Sequence, residues 1–335
     1  VDLDVFVGAH RAEWDRLAEL VRRAGRLSGP EADELVLLYQ RVSTHLSLLR
    51  STAPDPALLA RLSSLVAKAR SAVTGTHTPA WREVGLFFSR RFPAAVYRSA
   101  PWWAATAAVF VLVTGLLSAW VASSSRVRAT IAAPEEIRAM TEPGGGYEAY
   151  YSSNPAASFA AQVWTNNTQV AAACLLLGVL LGVPVLVVLW LNALNLGVGI
   201  GLMTSAGRGE LFLGLLAPHG LLELTAVFVA AGAGLRLGWT VIDPGRLSRA
   251  AALARAGRSV VAIALGLVCV LLVAGVIEAF VTPSGLPTWA RVGIGVAVEA
   301  VFLAYVFVLG RRAAREGETG DLDPRDTGDL APAAG

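Results

Sequence analysis

The sequence predicts an all-α, polytopic membrane protein of about six crossings, one of them short or broken, preceded by a cytoplasmic helical bundle or hairpin. Three observations carry this. Of the 335 residues, 55% are hydrophobic and only 16% charged, against ~25% charged in an ordinary soluble domain. The aliphatic residues gather into runs near the ~20 residues that cross a bilayer. Arginines bracket those runs, while residues 1–78 repeat their apolar positions at helical spacing. This composition argues against a soluble globule, a disordered chain and a disulfide-stapled secreted module.

In the first region, Phe6, Trp14, Leu17 and Val21 mark one apolar face, and Gly25 ends it. Ser28 and Glu31 then have the spacing of a capping box, with Pro30 in the first turn, where its missing N–H does little harm. The helix they open carries Leu35, Leu38, Tyr39, Val42, Leu46 and Leu49. After the break at Thr52-Ala53-Pro54, Asp55 stands as an N-cap ahead of Pro56, and Leu58, Leu62, Leu65, Ala69 and Val73 form a third stripe. Three such helices with short connections form a bundle or hairpin.

Residues 79–98 differ in character. After Thr78-Pro79, Trp81, Val84, Phe87, Phe88 and Phe92 alternate with Arg82, Arg90 and Arg91, the pattern of a helix lying in the headgroup layer. Crossings are expected at residues 102–122, 170–191, about 211–239, 260–280 and 290–310. The N-terminus is charged and has no early apolar core, so no signal peptide is expected.

Arginine placement sets the expected orientation. Arg82, Arg90, Arg91 and Arg98 precede the first crossing, Arg246, Arg249, Arg255 and Arg258 follow residue 239, and Arg311, Arg312 and Arg315 follow the last. All belong on the cytoplasmic side of a bacterial inner membrane, so both termini are cytoplasmic and the number of crossings is even. The Gly-rich stretch from Asn192 to Thr204 either crosses or pairs with residues 211–217 as a broken element; the expected count is six, with this third crossing short and irregular. The transmembrane domain is thus 99–310, with an external loop at 123–165 holding Pro143-Gly144-Gly145-Gly146 and Tyr147, Tyr150 and Tyr151. Residues 311–335, with Asp321, Asp323, Asp326 and Asp329, read as a disordered cytoplasmic tail.

Polar groups in the crossings are few, and each costs on the order of 2.5–3.5 kcal/mol even on lenient insertion scales. Asn166 and Asn167 enter the second crossing, Asn192 and Asn195 leave it, His219 and Glu223 lie in the fourth, and Glu278 and Glu299 follow. Counting from Leu211 at 1.5 Å per residue puts His219 ~12 Å deep and Glu223 ~18 Å deep. Asn166, Asn167, His219, Glu223 and Glu278 therefore share the outer half of the membrane and form a candidate intramembrane polar site. His219 and Glu223, four apart, share a helix face. Pro218 cannot donate to Gly214, which predicts a helix break at Pro218 and Gly220 with polar backbone exposed beside the histidine. The alternative is plain packing, with His219 and Glu223 bonded to freed carbonyls and neighbouring asparagines.

Much chemistry is excluded by residue type. Lys68 is the only lysine and sits in a polar helix, so P-loop, Schiff-base and Ser-Lys mechanisms have no candidate. Cys174 and Cys269 lie in aliphatic runs without a CxxC pair, HExxH and GxSxG are absent, and no aspartate lies in a crossing. No catalytic residue, metal ligand set, cofactor or nucleic-acid partner is therefore expected. A His219–Glu223 acid–base pair leaves an intramembrane enzyme as a minor alternative. The steps Gly178/Gly182, Gly197/Gly201 and Gly234/Gly238 allow close helix approach, within the chain or in a homo-oligomer.

Taken together, the run PHGLLELTAVFVAAGAGLRLG from Pro218 to Gly238 resembles the signature of the stage II sporulation protein M family. WTNNTQVAAACLLLGVLLGVP, LNALNLGVGIG, VIDPGRLSR and VIEAFVTP continue the resemblance, and LVLLYQRVSTHL is similar to the helical extension of longer members. The resemblance implies a polytopic membrane scaffold that works beside peptidoglycan hydrolases and has no catalytic role of its own. It also implies, for relatives in non-sporulating bacteria, RDD-type membrane proteins and MoxR-type ATPases as neighbours. The expected function is a non-enzymatic scaffold or assembly component in cell-envelope organisation or remodelling. The competing expectation is a transporter or channel-like module with its polar site at Pro218.

Overall fold

The three apolar stripes of the first region close on one another. Helices α1 (Leu3–Arg22), α2 (Gly29–Thr52) and α3 (Pro56–Val73) are each in contact with the other two, which makes a three-helix bundle. Its core is Trp14, Leu17 and Leu20 from α1, Leu35, Leu38, Val42, Leu46 and Leu49 from α2, and Leu62 and Ala69 from α3. The computed structural model describes residues 3–52, 55–73, 80–150 and 156–321. They fall into two compact units, Val1–Glu83 and Val84–Gly335, and among the described residues all regular structure is helical.

Local chemistry sets the helix starts. Glu31 accepts from the backbone N–H and the hydroxyl of Ser28, both at 2.8 Å, the half of a capping box in which the glutamate reaches back to the N-cap. Asp55 Oδ1 accepts from the N–H groups of Ala57 and Leu58 at 2.9 and 3.3 Å, an N-cap that takes up donors the first turn leaves orphaned. Arg16 clamps both oxygens of Glu34 at 3.0 and 2.8 Å, joining α1 to α2. Phe6, His10 and His45 stack beside the core, and Trp14 Nε1 donates to His45 Nδ1 at 3.3 Å.

In the second unit, five helices are long and apolar enough to cross a membrane: Ala100–Ser123, Val183–Ser205, Gly209–Ile242, Arg249–Phe280 and Thr288–Arg315. Between residue 80 and the first of these stand α4 (Ala80–Leu86), a π-helical turn Phe87–Arg91 and α5 (Phe92–Arg98). The first long helix is α6; after it come the short helices α7 (Ser125–Ile131), α8 (Pro134–Thr141) and α9 (Gly146–Ala149). A sixth long helix, α10 (Ala156–Leu177), packs against α11 (Val183–Ser205), α12 (Gly209–Ile242) and α13 (Arg249–Phe280). The last, α14 (Thr288–Ala304), continues through a π-helical stretch Tyr305–Gly310 into α15 (Arg311–Arg315).

Helix α12 is the centre of this unit, touching α6, α10, α11, α13 and α14. Its residues Ala226 to Gly234 are all buried, and six of these nine are alanine or glycine. Lipid tails offer no hydrophobic drive for helix association, so backbone proximity must supply the contact. A Cβ on Gly234 would sit 2.1 Å from the Cys174 carbonyl oxygen, and one on Gly178 would sit 2.4 Å from the Gly234 oxygen. Gly182 and Gly238 meet in the same way, and Gly197 and Gly201 face α6 at Thr114, Leu117, Ser118 and Val121. All three small-residue steps of the sequence are thus used inside the chain.

The structure corrects several expectations. The residues from Asn192 to Thr204 belong to the uninterrupted helix α11. The chain breaks earlier, between Leu177 and Val183, where Leu181 and Gly182 take φ of 57° and 73° and Pro184 opens the next helix. Two successive left-handed residues turn the chain tightly; Gly182 adopts that conformation without steric cost, whereas Leu181 does so against the preference of an L side chain. Crossing boundaries shift accordingly, and residues 156–165 join α10 instead of the loop. Nor does the helix break at Pro218 and Gly220: α12 runs from Gly209 to Ile242 with Pro218 inside it. The Pro218 oxygen lies against Gly295 of α14, and a neighbouring helix at a proline is what lets membrane helices continue through one.

The 79–98 region is only partly amphipathic surface. Trp81 is 75% exposed, whereas Phe92 to Val96 are buried against α13 and the 305–310 stretch. A Cβ on Gly266 would meet the Phe92 ring at 2.1 Å. The described part of the tail, through Asp321, is tied to the rest of the unit. Arg258 holds Asp321 at 2.6 and 3.0 Å, Arg98 donates to the Glu318 carbonyl at 2.8 Å, and Arg90 pairs with Glu316 at 2.9 Å. These ion pairs satisfy charges that composition alone assigns to solvent. The break at Ala53-Pro54, the helix start at Thr78-Pro79, Tyr151 and the run Asp323, Asp326 and Asp329 lie outside the described residues.

Candidate functional site

In the half of the second unit that carries α7–α9, the long helices leave a cavity of about 570 Å³. All five residues of the expected polar site line it: Asn166 and Asn167 from α10, His219 and Glu223 from α12, and Glu278 from α13. Gly220 also lines it, whereas Pro218 does not. Asn192 and Asn195 join from α11, Phe110 from α6. Four helices, α10 to α13, thus deliver their few polar groups to one place.

His219 is the best-fixed member. It is 2% exposed; its Nδ1 lies 3.1 Å from Thr282 Oγ1 and its Nε2 lies 3.6 Å from Glu278 Oε1. Thr282, just past the end of α13, is itself fully buried, and its carbonyl accepts from Arg291 at 2.7 Å. Glu223 hydrogen-bonds to Asn167. One Glu223 oxygen and one Glu278 oxygen, Oε1 and Oε2 respectively, are buried without a hydrogen-bond partner. His219, Glu223 and Glu278 each offer one ligand atom, and the three atoms lie within 4.8 Å of one another.

The mouth is covered by the α8–α9 segment. Met140, Gly146, Tyr147 and Tyr150 line the cavity from there. Tyr147 meets Phe212 edge-on at 5.3 Å, and burial pushes its phenol above the usual range. Arg208, in the turn before α12, donates to the Thr141 carbonyl at 2.8 Å and pairs with Glu148. Of the remaining polar residues expected in the crossings, Glu299 stands apart, accepting from Thr225 Oγ1 at 2.8 Å.

Sequence reasoning missed Thr282 and the covering role of Met140. Thr282 follows an apolar run and belongs to no chemical motif, so only its position opposite His219 reveals it. Tyr147 and Tyr150 stood out beside the triple glycine, but only as an external loop.

With this geometry in hand, comparison with known families is informative. The family described as stage II sporulation protein M matches residues 107–283, more than half of the chain. The chain belongs to the stage II sporulation protein M family. The stage II sporulation protein M match runs from within α6 to just beyond α13, so it contains every lining residue of the chamber and also Thr282. A second match, to a domain of unknown function (DUF8413), covers residues 4–75, the three-helix unit. Neither the curated proteins nor the solved structures gave a match.

Two carboxylates, an imidazole and four amides around one cavity offer acceptors for a cation and donors for a polar ligand. A membrane interior makes such a set expensive unless it is partnered. The chamber is therefore the part of this unit whose residues ask for a functional reason.

Proposed function

We propose that the chain is a non-enzymatic membrane scaffold, an assembly component in the organisation or remodelling of the bacterial cell envelope. It sits in the cytoplasmic membrane with both termini cytoplasmic, as the arginines flanking α6, α13 and α15 favour. The chamber then faces the outside of the cell, and the three-helix unit faces the cytoplasm as a docking module. Peptidoglycan hydrolases, RDD-type and MoxR-type proteins are the partner classes that family resemblance favours.

The observation that carries this reading is that the chamber is blind. Its polar residues end at Glu223, about 21 Å along α12 at 1.5 Å per residue. Beyond it, Ala226 to Ala233 are packed against Cys174, Ile263, Leu267 and Phe302 in one core, with Gly234 against the Cys174 backbone. A channel needs a polar or hydrated path on both sides of such a site. Here the packed stretch from Ala226 to Ala233 separates the chamber from a second recess of about 350 Å³ at the other end of α12, lined by Arg98, Arg236 and Asp321, and a closed middle suits a rigid anchor.

Affinity capture from membranes tests it. The full chain should recover envelope proteins reproducibly, and the chain lacking residues 1–83 should insert into the membrane but lose them. Unchanged recovery without residues 1–83 would count against the docking role. The partnerless carboxylates of the chamber favour one second reading, a transporter module. A solute flux in proteoliposomes that Glu223→Gln abolishes would decide for it.

A further inference from the structure

Glu278 is the side chain least explained by packing. Its side chain is 97% buried, its Oε2 has no hydrogen-bond partner, and it shares its surroundings with a second carboxylate, Glu223, whose Oε1 is in the same condition. Two carboxylates this close in a low-dielectric interior repel strongly, and no lysine or arginine lines the cavity. Beside them stands His219, held at Nδ1 by Thr282 with Nε2 turned toward Glu278.

We propose that His219, Glu223 and Glu278 bind a divalent transition-metal ion of the zinc class at the floor of the chamber. The spacing is that of a ligand set. Donors bound at about 2.0–2.2 Å around a tetrahedral ion stand about 3.4 Å from each other, and His219 Nε2 lies 3.6 Å from Glu278 Oε1. His219 and Glu223 are four apart on α12, so both reach one point from one face, and Glu278 closes the set from α13. An imidazole with two carboxylates suits zinc and its neighbours in the first transition row better than soft copper(I).

Charge and orientation agree with this. Two carboxylates and a neutral imidazole around a divalent ion sum to zero, which removes the repulsion between the carboxylates. In the tautomer this binding requires, Thr282 Oγ1 accepts from the Nδ1–H and Nε2 carries the lone pair offered to the metal, the role an outer hydrogen bond plays for ligating histidines. Three protein ligands leave one coordination position of a tetrahedral ion open in the chamber that Asn166 and Asn167 also line. That position would hold an oxygen of whatever polar ligand enters the chamber.

The test uses the full, tag-free chain in detergent, stripped with a chelator, reloaded with zinc and desalted, with bound metal counted by mass spectrometry. About one zinc per chain is expected, and cobalt(II) in its place should give a visible d–d band. His219→Ala and Glu278→Gln should each lower retention at least tenfold, and Glu223→Gln serves where one of these fails to fold by gel filtration. Glu299→Gln, a buried carboxylate outside the chamber, should retain the metal. Wild-type protein that holds no zinc would overturn the proposal. So would zinc lost on His45→Ala but kept on His219→Ala, which would place it on the His10, Glu13 and His45 group of the first unit. The inference rests on the chamber alone, so metal counts and partner capture fail independently.

Discussion

His219 and Thr282 hold the chamber's geometry between them: Nδ1 of the one lies 3.1 Å from Oγ1 of the other, across α12 and the end of α13. Both are buried, so the bond competes with no bulk water and a partner lost on one side leaves an orphan on the other. Thr282→Val should therefore lower the thermal unfolding midpoint of the detergent-solubilised chain, at a cost of about 1–3 kcal/mol. Thr282→Ser, which keeps the hydroxyl, should restore most of it. Equal midpoints for Thr282→Val and wild type would show that the bond is dispensable.

The close approach of α10 and α12 yields a second expectation. Gly234→Ala would put a methyl group 2.1 Å from the Cys174 oxygen, a clash with backbone that only helix separation relieves. Folded yield should drop sharply, with an early-eluting or aggregated peak in gel filtration. Gly115→Ala, in α6 with nothing within 4 Å of the new methyl, should be neutral or slightly stabilising, because alanine is the better helix former.

Acid should loosen the first unit. Burial, and then the nearby His10, lowers the pKa of His45, with Glu13 opposing and Arg41 adding to the shift. A folded-state value below the unfolded value of about 6.5 means that the unfolded chain binds a proton the folded chain refuses. Stability is thus full above that pH and declines as pH falls toward the lowered value. Circular dichroism melts of residues 1–83 should show a lower midpoint at pH 5.5 than at pH 7.5. His45→Gln should flatten this difference; a slope that survives the substitution would assign it elsewhere.

Arg208 fastens the cover over the chamber. It reaches the Thr141 carbonyl and the Glu148 carboxylate from the α11–α12 turn. Arg208→Gln should speed hydrogen exchange across residues 138–150 at least severalfold and leave α12 protected. Uniform exchange in both proteins would mean that Tyr147 on Phe212 suffices to hold the cover.

How far the sequence could be read differs from element to element. The three stripes of the first unit, the Ser28–Glu31 box and the Asp55 cap were legible because they follow from spacing within a few residues. The gathering of Asn166, Asn167, His219, Glu223 and Glu278 was legible too, since polar groups in apolar helices are rare and depth follows from counting. The helix ends around residue 180 were not, because Gly178, Gly182 and Pro184 compete with Gly197, Gly199 and Gly201 as breakers. Only contact with α12 and α6 separates a turn glycine from a packing glycine.

Pro218 shows the same division. Local rules end a helix there, yet Gly295 lets α14 come close enough to support the turn, so α12 continues. Arg258 likewise captures Asp321 although the two lie 63 residues apart, ordering a segment whose composition reads as solvent-exposed. Periodicity, caps and hydropathy act over one or two helical turns and are written in the chain itself, so the all-α class and the apolar stripes of the first unit follow from them. Which glycine bends, which proline is tolerated and which hydroxyl steadies His219 depend on side chains brought from distant segments. Those answers arise only when the helices pack.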